Sequence, residues 1–275
     1  MRSGRKRSGW PRLSSKRFFE RAFLIFTNTM TNILDQVARS SSSARYNQFQ
    51  PSDQQEYFAL RLAQKLDDVS ASRHYAELLD HYSQAQLLTA YRRTKAAGSH
   101  SDPARSFHLE LKRLEGRTGD DPPIRRLAAI RIERRAVAVA ILEGEHLAAP
   151  PQVRQLSSNS DKALGSAASF ISRLLEKYPL GRAALETVPN ETEVLRGDLM
   201  DIISRVLVEQ NVSIWEVSKP DVLASFGHPS PRFRDQVRQA ISAIWPGVNG
   251  SFGAPLMKDA LALGLYCQVE YLFNF

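Results

Sequence analysis

The sequence predicts a mixed protein, α+β or α/β, in which a four-helix unit precedes a mixed five-stranded sheet flanked by helices. Apolar residues between positions 52 and 114 recur at helical spacing. A breaker cluster, Gly119-Asp120-Asp121-Pro122-Pro123, then interrupts the chain, and beyond it the apolar period shifts to two. The segments after the break run in the order β-β-β-α-β-α-β-α, with extra helices inserted before the last.

Ser52 with Gln55 three residues on is a capping-box arrangement, and Tyr57, Leu60, Leu62, Ala63 and Leu66 supply an apolar stripe for a first helix to about residue 68. Ser72 precedes Tyr75, Leu78, Leu79 and Tyr82; Ser83 precedes Leu87, Leu88, Ala90 and Tyr91 before Gly98 stops the run. Asp102-Pro103 sets a cap residue before a helix-start proline, and Phe107, Leu109, Leu111 and Leu114 follow. These four helices are expected to form a domain over residues 52–118, a candidate surface for a protein partner. His74 and His81, seven apart, share a helical face, but neither has the adjacent glutamate of an H-E-x-x-H zinc pattern, so core or surface histidines are expected.

In the second domain, residues 122–275, the runs 127–132 and 136–142 are joined by Glu133-Arg134-Arg135, which predicts an antiparallel hairpin. Residues 152–156 supply a third strand. Ser157 to Ser160 open a helix with Ala163, Leu164, Ala167, Phe170, Ile171, Leu174 and Leu175 inward, and Gly181-Arg-Ala-Ala-Leu-Glu186 is a fourth strand. A helix over about 191–209 and a fifth strand over 212–217 come next. Helices over 220–226 and 232–244, separated by Gly227-His228-Pro229-Ser230-Pro231, precede a closing helix over 255–273.

Composition bounds the function. The 275 residues are 43% hydrophobic and 24% charged, which excludes disorder of the whole chain. A single cysteine, Cys267, excludes an internal disulfide framework and a Cys-based zinc site, and favours a reducing compartment such as the cytoplasm. The net charge of +8 suggests nucleic acid until it is located. Residues 1–22 hold eight Lys and Arg against Glu20, or +7, which leaves about +1 for the rest. A basic surface elsewhere therefore requires local clustering. The front segment, 1–51, reads as a basic, disordered stretch and linker ending after Ser40-Ser41-Ser42-Ser43, with Met30 as an alternative start. Its apolar run, Ala22 to Phe26, is shorter than the roughly 7 residues of a signal-peptide core. No stretch approaches the roughly 20 apolar residues of a membrane span, so no membrane partner is expected.

The order of elements, Ala184-Leu185-Glu186 ending the fourth strand, and Lys258-Asp259-Ala260-Leu261-Ala262-Leu263 opening the last helix resemble the RNase H-like superfamily, in particular its RuvC-type branch, over about residues 124–273. The last string is similar to the family's carboxylate-Ala-x-Ala helix start. The resemblance implies a nuclease site with two Mg²⁺ or Mn²⁺ ions roughly 4 Å apart, held by converging carboxylates. Glu186 and Asp259 match two of the family's ligand positions. The third, an aspartate in the first strand that bridges both ions, falls near residues 130–132, where this chain has Arg131.

A guanidinium stays protonated and repels a divalent cation, so Arg131 is expected to block the site, forming a buried ion-pair cluster with Glu186 and Asp259. Glu133 is the alternative ligand: it shares the strand face of Arg131, about 6.6 Å further along. Lys219, Arg232, Arg234 and Arg238, with Phe226, Phe233 and Trp245 nearby, are the candidate nucleic-acid contacts. The same aromatics serve equally as a core stripe with the arginines on a solvated face. The expected function is a nucleic-acid-associated, catalytically degenerate RNase H-like protein. The alternatives are an active metal-dependent endonuclease on structured DNA or RNA, and a non-catalytic interaction protein.

Overall fold

The computed structural model describes residues 49–98, 102–114, 126–144, 146–187, 194–227, 234–250 and 253–274. The basic front segment, His228, Arg232 and Phe233 lie outside them. Helices α1 (Gln54–Lys65), α2 (Ser72–Leu78), α3 (Gln84–Ala96) and α4 (Pro103–Arg113) follow the apolar stripes. Ser83 and Gln86 close the capping box of α3, and Asp102 caps α4 ahead of its proline. The start of α1 moves one residue from the expected box: Asp53 accepts from the Glu56 amide at 2.7 Å, and Glu56 accepts from the Ser52 amide at 2.7 Å. Aspartate accepts this bond as well as serine, and its register places Glu56 over the helix start.

The hairpin consists of β1 (Arg126–Glu133) and β2 (Ala136–Glu143), paired from Arg126 opposite Glu143 to Glu133 opposite Ala136. Only Arg134 and Arg135 form the turn. The third strand, β3 (His146–Gln155), begins six residues before the expected start and runs through Pro150 and Pro151. Proline is tolerated because β3 is an edge strand, and register shifts around Ile141 absorb the irregularity. The chain continues as α5 (Ser160–Lys177), β4 (Arg182–Glu186), α6 (Val194–Glu209), β5 (Ser213–Val217), α7 (Lys219–Ser225), α8 (Arg234–Ile244) and α9 (Ala254–Asn274). The strand order is β3-β2-β1-β4-β5, with β4 parallel to β1 and β5 parallel to β4.

Both faces of the sheet are covered, which explains why β1 and β2 are apolar almost without interruption. On one face Ala128, Ile130, Ile132, Val137, Val139 and Ile141 meet α5 and α6, the two crossover helices. On the other, Leu127, Ala129, Ala138, Ala140, Leu142 and Ala184 meet α9. Arg131 and Glu133 continue this second row by strand alternation. At Gly264 the backbone of α9 presses on the hairpin so closely that a Cβ would lie 2.4 Å from the Leu142 Cδ1 and 3.1 Å from the Ala129 Cβ.

The helices expected as a separate unit share this core. Phe58 stacks on Phe273 with ring centroids 5.4 Å apart, Tyr91 meets the same ring edge-on at 5.1 Å, and Tyr57 is hydrogen-bonded to Ser225 at 2.8 Å. Buried Glu270 of α9 accepts from Lys65 at 2.8 Å and from Arg61, both on α1. The reason lies in α9, which is apolar on nearly every side: one side packs on the sheet, and another needs the amphipathic helices as cover. Among the described residues, no helix is long and apolar enough to cross a membrane.

Candidate functional site

The parallel pairing of β1 and β4 ends at Ile130 opposite Leu185. One residue further, at the carboxyl ends of both strands, Arg131 and Glu186 lie side by side on the face that α9 covers. Their Nη1 and Oε1 atoms are 2.7 Å apart, with side chains 4% and 8% exposed. Arg196, from α6, brings its Nη2 to 3.7 Å from the same Oε1. The Nε atoms of Arg131 and Arg196 are buried without a hydrogen-bond partner.

Asp259 stands in the early part of α9 and is gripped from α8. Arg238 donates through Nε to Oδ1 at 2.9 Å and through Nη2 to Oδ2 at 3.0 Å, a forked geometry that guanidinium and carboxylate share. Arg234 adds Nε to Oδ2 at 3.1 Å and a second contact from Nη2, which also reaches Glu133 Oε1 at 3.3 Å. Arg238 further meets Asp235 at 3.4 Å on the exposed rim.

The fold thus brings Arg131, Glu133, Glu186, Lys219, Arg234, Arg238 and Asp259 to one end of the sheet, while Arg232 lies outside the described residues. One correction follows. Among the described residues Arg131 makes its salt bridge with Glu186 alone, because Asp259 is already taken from α8. The pairing of Asp259 instead with Arg234 and Arg238, the candidate nucleic-acid contacts, arises because their i, i+4 face is the one α8 presents to α9. Glu133 does reach the site, but as a partner of Arg234. Arg196 is the residue that sequence reasoning missed: one of two arginines in its helix, it carries no signal of its own.

Burial pushes the Glu186 carboxyl upward, opposed by Arg131 and then by Lys219 and Arg196, and leaves it above its ordinary range. Burial likewise draws Arg131 down against the attraction of Glu186, with Arg196 and Arg234 adding repulsion, yet a guanidinium remains charged. Asp259 differs. Burial again pushes it up, but the hydrogen bonds from Arg238 and Arg234 outweigh that and hold it below the usual carboxylate range. In Arg234 burial is outweighed by the bonds to Asp259, which raise it. In Glu270 burial is outweighed by Lys65 and Arg61, which lower it.

The signs give a pH dependence. A carboxylate depressed in the folded state contributes stability above its unfolded pKa of about 4, and that contribution is lost as pH falls through the folded value. Asp259 and Glu270 both behave this way; Glu186, raised, works in the opposite sense. Urea midpoints are therefore expected to fall steadily from pH 5 to 3, with a shallower fall in Asp259→Asn. A profile that is flat or rising below pH 4 would contradict the pairing.

The residues do not fit a two-ion centre. Five cations, Arg131, Arg196, Lys219, Arg234 and Arg238, surround Glu133, Glu186 and Asp259, and both oxygens of Asp259 point at guanidinium groups. No group of three His, Cys, Asp or Glu side chains able to hold a metal ion occurs among the described residues.

Three antiparallel strands, two further parallel strands alternating with helices, and a closing helix against the first hairpin make this an RNase H-like α/β fold. No protein-family model and no curated protein matches the chain. Similar solved structures are RuvC-type Holliday junction resolvases. RuvC of Thermus thermophilus is 17% identical, covering 54% of this chain and 96% of that one, with a TM-score of 0.45. The yeast mitochondrial Holliday junction resolvase is 12% identical over 70% and 98%, at 0.41, and that of fowlpox virus 15% over 55% and 99%, at 0.38.

Proposed function

We propose that this chain binds nucleic acid through a nuclease-like fold and does not cleave it. The observation that carries the reading is the 2.7 Å pair between Arg131 and Glu186. It sets a permanent cation where the RNase H-like resemblance implies a metal-bridging carboxylate, and it neutralises one of the two acids that remain. The other acid, Asp259, is held by two arginines. A cluster with more cations than carboxylates attracts a polyanionic backbone directly.

Thermus RuvC and the fowlpox resolvase have each been solved with a Holliday junction, so four-way DNA is the first probe. The full chain is expected to retard a labelled junction on a native gel, less strongly as salt rises, and to release no product with Mg²⁺ or Mn²⁺. Product formation that disappears in folded Glu186→Gln or Asp259→Asn protein would establish a metal-dependent endonuclease instead. Failure to bind any DNA or RNA in a salt-dependent way would leave a structural role.

A further inference from the structure

We propose that Arg131, Arg196 and Lys219 form an anion site that takes one phosphate group directly, in the corner where the RNase H-like resemblance implies metal ions. This rests on the reading that the corner holds no divalent cation, and adds the ligand it holds instead. Charge is unevenly distributed in the cluster. Arg234 and Arg238 bridge to Asp259, Glu133 and Asp235, whereas Arg131 and Arg196 bridge to Glu186, which also attracts Lys219 more strongly than the already paired Asp259 does. Over the whole cluster five cations face four carboxylates, a surplus of one that matches the charge of a phosphodiester and lies on the Glu186 side.

The donors are also unfilled. The Nε groups of Arg131 and Arg196 are buried with no acceptor, the situation that burial of a polar group ordinarily forbids. Lys219 makes no salt bridge among the described residues; its neighbour Asp221 is bonded to Ser218 at the start of α7. Burial, and then repulsion from Arg234, push the Lys219 ammonium down against the pull of Glu186. An arriving oxyanion would relieve that repulsion and offer acceptors to all three side chains, and phosphate suits the fork of a guanidinium. The same group is supplied by a nucleic-acid backbone or by free phosphate.

The test uses the full chain in EDTA at constant ionic strength. Inorganic phosphate at a tenfold excess over its Kd is expected to raise Tm by roughly 3–6 °C relative to chloride. Lys219→Met is expected to melt no lower than the unmodified chain without phosphate, because it removes a like-charge contact, and to lose the response. Arg196→Met provides a second variant with the same loss. No phosphate response, or one undiminished in both variants, overturns the site.

Junction binding separates the sources. Competition by phosphate, with affinity about tenfold lower in Lys219→Met, assigns the site to a backbone phosphodiester. Undisturbed junction binding beside a phosphate response assigns it to free phosphate. Junction binding without any phosphate response removes this site and leaves the binding function standing. A Tm raised by Mg²⁺ or Mn²⁺ and lost in Glu186→Gln brings down both.

Discussion

Glu186→Leu is expected to destabilise the chain by about 3–5 kcal/mol in urea unfolding, because it leaves the Arg131 guanidinium buried without its carboxylate. The physical point is an asymmetry. Forming a buried ion pair yields little net stability, since desolvation of both groups offsets their attraction, whereas breaking one strands a charge in the core. Arg131→Met combined with Glu186→Leu is therefore expected to recover to within about 1 kcal/mol of the unmodified chain, or to exceed it. A single variant as stable as the parent would mean that Arg131 escapes to solvent and that the pair does not define this corner. The comparison also bears on function. A pair found to contribute nothing net to stability would call for a reason other than folding.

A fragment beginning at residue 119, which keeps the sheet and removes α1 to α4, is expected to lose cooperative unfolding and near-ultraviolet circular dichroism. Removing those helices uncovers the outer side of α9, including Phe273, along with Phe226. It also takes away Arg61 and Lys65 from Glu270, which is 6% exposed in the intact chain. The patch left bare belongs to a continuous core, so exposure of that size favours collapse or aggregation over a native-like sheet. A sharp thermal transition in the fragment would show that the sheet domain stands alone.

Much of the fold was legible because its signals are local. The Ser83 box, the Asp102-Pro103 start and the apolar runs between Leu127 and Leu142 each depend on residues a few positions apart, and the structure places elements there. The expected third strand starts only at residue 152, whereas β3 runs back through Pro150 and Pro151 to His146, which its place at the sheet edge makes acceptable. That the helices share a core with α9 was not legible, because a breaker cluster in the sequence says nothing about which surfaces meet afterwards. Within the site, the ligand-position match singled out Glu186, Asp259 and Arg131, but spacing gave no hint that Arg234 and Arg238 pair with Asp259, nor of Arg196.

What this sequence determines by itself is the type and order of its elements and the presence of a cation where the family resemblance implies an acid, since period, capping and strand alternation act over one or two turns of chain. Which cation faces which carboxylate was decided by the tertiary structure. Arg234 meets Glu133 across 101 positions, and Arg61 meets Glu270 across 209. The first forms where strand ends and helix starts converge at one end of the sheet and the second where α1 packs along the last turns of α9; in both a charge must find a partner once water has been excluded.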